Sequence, residues 1–374
     1  MNILNKKDYM IEQDKIQEKI IKKIEENQYN GIVLSSVRSG KTRILLKTLE
    51  SFIRDRNLEN PKILVLYPFI DIKKSWKKEI EILEFGFDIT FSTYISFYKK
   101  IKEDWDIIIG DEAHLIPNEN VLPLFNQLKG KINNIIFASG TFSESTLVSI
   151  YQNTGLKKIV DYSTENAIND GIISDFKIIV HMFSLDNTIK VKCGTKKTWF
   201  STDYKECSRL TKKVQESKGN SKMFYSLQRR HFVNSCDTTK RHVKTWIKNN
   251  KDKRYLLFVG NNKIGEEYGL PLYSSASIDD SNLIKFQNQE INQLILIKKG
   301  SIGITYPNLD TIVLTAIDSN SDSFEQIMGR GLLKDTDNVT IHIFISDEPF
   351  QQKWLLSALE KIDKNKIEIN RIIC

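Results

Sequence analysis

Few cysteines, no long apolar run and no apolar leader: each gap in this 374-residue chain removes a class of protein. The four cysteines, Cys193, Cys207, Cys236 and Cys374, are far apart and form no CxxC pair. Zinc sites and disulfide frameworks use closer spacings, so reduced structural thiols are expected. No apolar stretch approaches the roughly 18–20 residues that would span a bilayer, so no membrane partner is expected. The first twenty residues mix charges throughout, where a secretory leader carries an apolar centre. A cytoplasmic location follows as the expectation.

What the chain does have is charge, unevenly placed. Hydrophobic residues make up 40% and charged residues 27%, the balance of a globular protein with room for two or three domains. The formal net charge is +8, but residues 187–254 hold 19 Lys and Arg against five Asp and Glu. That stretch is near +14 and the remainder near −6. Trp199, Phe200, Tyr204, Phe224, Tyr225, His231, Phe232 and Trp246 are interleaved with its cations. Cations that meet phosphate beside rings that stack on bases point to a nucleic-acid surface. Each aromatic taken singly reads as well as the core of a small helical insert.

Chemistry concentrates in the first half. Residues 107–109 are three isoleucines, ending at Gly110 and two adjacent acids, Asp111 and Glu112. A short unbroken apolar run reads as a strand buried on both faces, and acids at its carboxyl end lie where open α/β sheets bind ligands. Upstream, an apolar strand over 32–34 leads through a small-residue turn to Ser39-Gly40-Lys41-Thr42 and an amphipathic helix. This is the phosphate end of a P-loop in strand–turn–helix context. Amides at the helix start cradle phosphate, Lys41 reaches the terminal phosphates, and the Thr42 hydroxyl can ligate Mg²⁺. The match is partial, because Ser35 stands where the pattern has its first glycine and Arg38 where many loops have another.

Further strands are expected at 62–68 and 134–138, the last ending in Ser139-Gly140-Thr141, with a strand and the start of a helix over 87–97. Strands alternating with helices at this pace predict parallel units whose loops gather at one edge. A basic segment follows residue 185, and then a second α/β pattern with strands near 255–259, 272–274, 294–297, 311–316 and 340–345. This half has no P-loop. It carries Lys298-Lys299-Gly300-Ser301-Ile302-Gly303, and also Gln326 and Arg330, spaced to share a helix face.

In order and spacing, the SGKT, DEAH, SGT, KKGSIG and QIMGR segments resemble the motor core of superfamily 2 helicases. Within it the chain is similar to the compact phage and viral branch-migration helicases, through YSTENAINDGIISDFKI and SLQRRHFVNS. The resemblance implies two RecA-like parallel-sheet lobes in tandem, over 1–185 and 223–374, with a basic linker or insert at 186–222. It implies ATP and Mg²⁺, with Ser39, Gly40, Lys41, Thr42, Arg43 and Gln17 binding nucleotide, and Thr42 and Asp111 holding the metal. Lys41, Asp111, Glu112, Gln326 and Arg330 would carry catalysis; His114, Ser139, Gly140 and Thr141 would couple it to nucleic acid. The implied activity is an ATP-dependent helicase or translocase, on DNA rather than RNA, in host cytoplasm if the source is viral or phage. The alternatives are a nucleic-acid-binding subunit with ATP as regulatory ligand, and an RNA helicase. One departure bears on rate: where the family pattern has a second arginine, this chain has Leu333. Either Arg330 suffices, a partner protein supplies the cation, or hydrolysis is slow.

Overall fold

A computed structural model describes residues 6–372, except 37, 118, 129, 194–197, 275–278, 298–305, 307, 316, 318–323, 325–337 and 361. The chain divides into two compact units, Met1–Ile173 and Ser174–Cys374.

The first unit is built on a six-stranded parallel sheet. Its strands are β1 (Gly31–Ser35), β2 (Ile63–Tyr67), β3 (Ile89–Thr93), β4 (Ile107–Asp111), β5 (Ile135–Ser139) and β6 (Lys158–Tyr162), ordered β3-β2-β4-β5-β1-β6. All pairings are parallel. Helices α1 (Lys6–Glu26), α2 (Lys41–Arg56), α3 (Ile70–Leu83), α4 (Leu122–Phe125), α5 (Glu144–Thr154) and α6 (Thr164–Asn169) lie between and around them. Covered on both faces, β2, β4 and β5 are buried at every position, which is why their sequences are unbroken apolar runs. Phe125 stands between Phe97 and Phe137, at ring-centroid distances of 4.7 and 5.1 Å, and fills the core on one face. The central strands are β4, β5 and β1, and they carry the three polar loops at their carboxyl ends. The edge strand β6 was not anticipated, because KIVDY is half exposed and shows no apolar run.

The second unit holds a seven-stranded parallel sheet, ordered β11-β12-β10-β13-β14-β7-β15. Its members are β7 (Asp175–Phe183), β10 (Tyr255–Val259), β11 (Leu272–Ser274), β12 (Gln293–Ile297), β13 (Thr311–Leu314), β14 (Asn338–Ser346) and β15 (Ile367–Ile372). Strand β7 corrects the expected boundary at 185. It pairs residue for residue with β14 from Asp175↔Asn338 to Phe183↔Ser346, so it belongs to the second sheet. Nothing local announces a partner that far along the chain. Likewise, residues 186–222 are no plain linker: they form a hairpin, β8 (Lys190–Cys193) with β9 (Trp199–Thr202), and then α7 (Asp203–Glu216). Helices α8 (Gly219–Val233) and α9 (Asp237–Asn249) follow. Cys193, Cys207 and Cys236 are buried and unpaired, and burial pushes the Cys236 thiol up to about 12. Among the described residues no helix is long and apolar enough to cross a membrane.

At the β7–β14 seam two histidines stack, with ring planes 17° apart, and share a hydrogen bond between His181 Nε2 and His342 Nδ1 at 2.8 Å. Burial, and then the neighbouring His242, lower the pKa of His181 to about 4, against a smaller opposing effect of Glu368. Burial, His181 and Lys253 lower that of His342 to about 3. Both folded values lie below the ordinary 6.5, so the unfolded chain binds more protons in acid. The stability contributed by the neutral pair is complete above about pH 6.5 and lost as pH falls towards 4 and 3. His342→Gln is expected to flatten the acid limb of stability against pH by up to about 1.4 kcal/mol per pH unit. Urea midpoints measured from pH 7 to 4 check this; an unchanged slope places the acid sensitivity elsewhere.

Candidate nucleotide site

The turn between β1 and α2 is built differently from a glycine-rich loop. Ser35 Oγ and Ser39 Oγ lie 2.6 Å apart, and Ser39 Oγ also donates to the Ser36 carbonyl at 2.8 Å. The Ser36 amide donates to the Tyr162 carbonyl of β6. Hydroxyls thus pin the backbone where the usual pattern relies on glycine. Arg38 adopts φ 71°, in the left-handed region that costs a side-chain-bearing residue about 1–2 kcal/mol. The Gln13 side chain of α1 holds it by donating to the Arg38 carbonyl at 2.8 Å. Gly40 has φ 81°, and a Cβ there would run into the Gln17 amide, so glycine is required twice over. Gln17 is buried and donates to the Ser39 carbonyl at 3.0 Å. Its Oε1 has no partner among the described residues.

Helix α2 opens at Lys41 with no acid in its first turn, leaving the positive end of the helix to face the loop. Lys41 Nζ meets Glu112 Oε1 at 2.5 Å and Asp111 Oδ1 at 3.3 Å. Burial opposes the Lys41 charge, yet the Glu112 and Asp111 carboxylates outweigh it and raise its pKa above the ordinary lysine value. Asp111 is 2% exposed. Its Oδ1 accepts the Glu112 amide at 2.8 Å and its Oδ2 accepts the Trp76 indole at 2.8 Å. Tyr94 Oη donates to the Asp111 carbonyl at 2.8 Å. Burial, then Asp111 and Glu112, push the Tyr94 phenol well above its ordinary range, which keeps it a donor. Gly110 lets β4 pass this close: a Cβ there would collide with the Phe137 ring.

Glu112 turns out of the strand with φ 49°, again left-handed, a strained geometry of the kind that gathers at functional sites. The turn brings Glu112 Oε2 to 3.4 Å from His114 Nδ1, which also lies 2.7 Å from Ser139 Oγ. Ser139 Oγ accepts the Thr141 amide at 3.2 Å, and the buried Thr141 Oγ1 has no partner among the described residues. Lys41, Asp111, Glu112, His114, Ser139 and Thr141 therefore form one connected cluster, with Gly140 half-buried between the last two. Thr42 is half-buried in the first turn of α2. Arg43 Nε donates to Glu79 Oε1 of α3 at 2.6 Å. Gln326, Arg330, Leu333 and 298–303 lie outside the described residues. Trp76 carried no sequence signal as a site residue, because one tryptophan on an amphipathic helix reads as core.

No group of three or more His, Cys, Asp or Glu poised for a metal occurs among the described residues. Mg²⁺ takes one or two carboxylates and completes its shell with phosphate and water. One carboxylate at Asp111, one hydroxyl at Thr42 and a lysine between acids are a hard-oxygen, phosphate-binding set. The residues fit a magnesium–nucleotide.

Residues 8–86 match the family described as "Type III restriction enzyme, res subunit". The transcript termination protein A18 of Yaba-like disease virus is 21% identical over 347 residues, 83% of this chain and 70% of that protein. Among solved structures, S. cerevisiae Dbp5 bound to RNA and ADP BeF3 superposes with a TM-score of 0.56 at 13% identity, covering 96% of this chain and 89% of that one. The Type ISP restriction-modification enzyme LlaBIII bound to DNA gives 0.59 at 13% identity, covering 96% of this chain and 31% of the much longer enzyme. The fold shared with these structures is two parallel-sheet α/β units of the kind found in tandem RecA-like lobes. Each compact unit is accordingly built as a RecA-like lobe, and the family match over residues 8–86 falls within the first.

The loop geometry makes a direct demand on Gly40. Gly40→Ala places a side chain in a left-handed position against Gln17 and is expected to cost about 1–2 kcal/mol. Thermal unfolding of the single variant and of Gly40→Ala with Gln17→Ala checks this, the double variant recovering only the steric part.

Proposed function

We propose that this chain is a nucleic-acid-dependent ATPase that works as a helicase or translocase, with DNA as its track. The observation that carries the reading is the Lys41 ammonium, held by Glu112 and Asp111 beside the amides that open α2. In the proposed reaction Lys41 exchanges carboxylate for phosphate oxygen and neutralises charge on the γ-phosphate as water attacks. Release from Lys41 leaves Glu112 to orient that water and accept its proton. Thr42 and Asp111 would hold Mg²⁺, which supplies charge neutralisation on the phosphates. His114, bridging Glu112 and Ser139, is proposed to pass the nucleotide state to the Ser139–Thr141 loop. Gln326 and Arg330 are proposed to act on the γ-phosphate as in related motors. With Leu333 in place of a further arginine, Arg330 suffices, a partner supplies the cation, or hydrolysis is slow.

Support for a nucleic-acid track comes from the basic stretch of the second unit. Helix α8 contains no Asp or Glu and buries only Val233. Met223 and Phe224 on α8 are 65% and 56% exposed, and Phe200 on β9 is 72% exposed. The aromatics of this stretch split in two: Trp246 packs in the core, while Phe200, Tyr204 and Phe224 face solvent. Exposed rings among cations suit stacked bases and phosphate. The family matched over 8–86 and the DNA-bound neighbour favour DNA; the RNA-bound neighbour keeps an RNA track as the second reading.

Lys41→Ala is expected to abolish nucleic-acid-stimulated ATP hydrolysis, measured by phosphate release with single-stranded DNA, duplex DNA, branched DNA and RNA in parallel. Hydrolysis that survives the substitution rejects this site; stimulation by RNA alone rejects the DNA track. Neutralising Lys212, Lys213, Lys218 and Lys222 together is expected to weaken DNA binding and to lower its salt slope by up to about three to four. Fluorescence anisotropy from 50 to 200 mM salt reads this, and unchanged affinity removes the basic stretch from the interface.

A further inference from the structure

Asp111 has one partner that the proposed reaction leaves unused. Trp76 of α3 is fully buried, and its indole N–H donates to Asp111 Oδ2 at 2.8 Å. The indole is itself braced, packing edge-on against Phe91 of β3 with ring centroids 6.1 Å apart and planes at 73°. On the opposite oxygen the Glu112 amide donates at 2.8 Å. Between them the two donors set the plane of the carboxylate, and turning it breaks one bond or the other. A tryptophan needed only for bulk could send its N–H to any carbonyl. Here the donor goes to a charged acceptor at the centre of the site, which makes the bond stronger than a neutral one.

We infer that Trp76 is a positioning residue for the divalent cation: its N–H fixes the Asp111 carboxylate in the orientation that receives hydrated Mg²⁺ with the nucleotide. The inference rests on the magnesium–nucleotide reading of the site. Groups that orient a metal-binding carboxylate cost about 10–100-fold in metal affinity or activity when removed. Trp76 is fully buried and reaches the site through Asp111 Oδ2, so its effect should fall on the metal dependence and spare metal-free binding.

The test is a Mg²⁺ titration of the binding of a fluorescent ATP analogue to the full chain. It compares the wild type with Trp76→Phe and with 3-benzothienylalanine at position 76, which keeps the bicyclic shape and replaces the N–H by sulfur. The half-saturating Mg²⁺ concentration is expected to rise about tenfold in both variants, while binding of the analogue in EDTA stays at the wild-type level. If Trp76→Phe does not fold, the benzothienyl variant decides. An unchanged Mg²⁺ dependence in the folded benzothienyl variant overturns the assignment and leaves the nucleotide site standing. Equal losses with and without Mg²⁺ overturn it too, since they report packing. A wild-type chain that binds no magnesium–nucleotide sinks the nucleotide reading, and this inference with it.

Discussion

The first unit is organised around one buried cation. Lys41 opens α2 and is answered by Glu112 at 2.5 Å and Asp111 at 3.3 Å from the end of β4. A lysine taken out of water without counter-charge would shed its proton, and two adjacent acids, one buried and one half-buried, would repel without a cation. Each half of the arrangement makes the other tolerable. The surrounding contacts serve the same end: Trp76, Tyr94 and the Glu112 amide fix Asp111, while His114 ties Glu112 to Ser139 on β5. Three strand ends from separate parts of the chain are joined by polar contacts that a nucleotide phosphate could rearrange.

The phosphate loop shows how a crowded sequence can hold a shape usually left to glycine. Arg38 takes the left-handed conformation despite its side chain, and Gly40 takes it beside a glutamine that leaves no room for a Cβ. Both are secured from α1, where Gln13 and Gln17 bond the carbonyls of Arg38 and Ser39. The helix ahead of the first strand is therefore part of the site. Gln17 spends its amide N–H on the loop and keeps a buried carbonyl oxygen without a partner, so the same residue that supports the turn retains an acceptor.

Much of this was legible beforehand. The apolar runs within 62–68, 107–109 and 134–138 read as strands covered on both faces, as they are, and parallel connections were expected to gather their polar ends at one edge. The legible part stops at edges and at long-range partners. Strands β6 and β15 are half exposed and lack the apolar signal. Strand β7 has the signal, but its pairing with β14 moved it to the second sheet. The contact of Arg43, two residues beyond Lys41, with Glu79 of α3 was equally beyond local pattern.

The sequence alone singled out Lys41, Asp111, Glu112, His114 and Ser139 as candidates, because phosphate and magnesium chemistry admits few side chains and the strand–turn–helix rhythm admits few places for them, and the structure brings these five side chains together. Only the tertiary structure decided what surrounds them. That Trp76 would face a carboxylate rather than a carbonyl, that two glutamines of α1 would lock the loop, and that His181 would stack on His342 across 161 residues depend on helices and strands meeting through space. Local patterning encodes which face of an element is apolar; it does not encode which distant atom that face will meet.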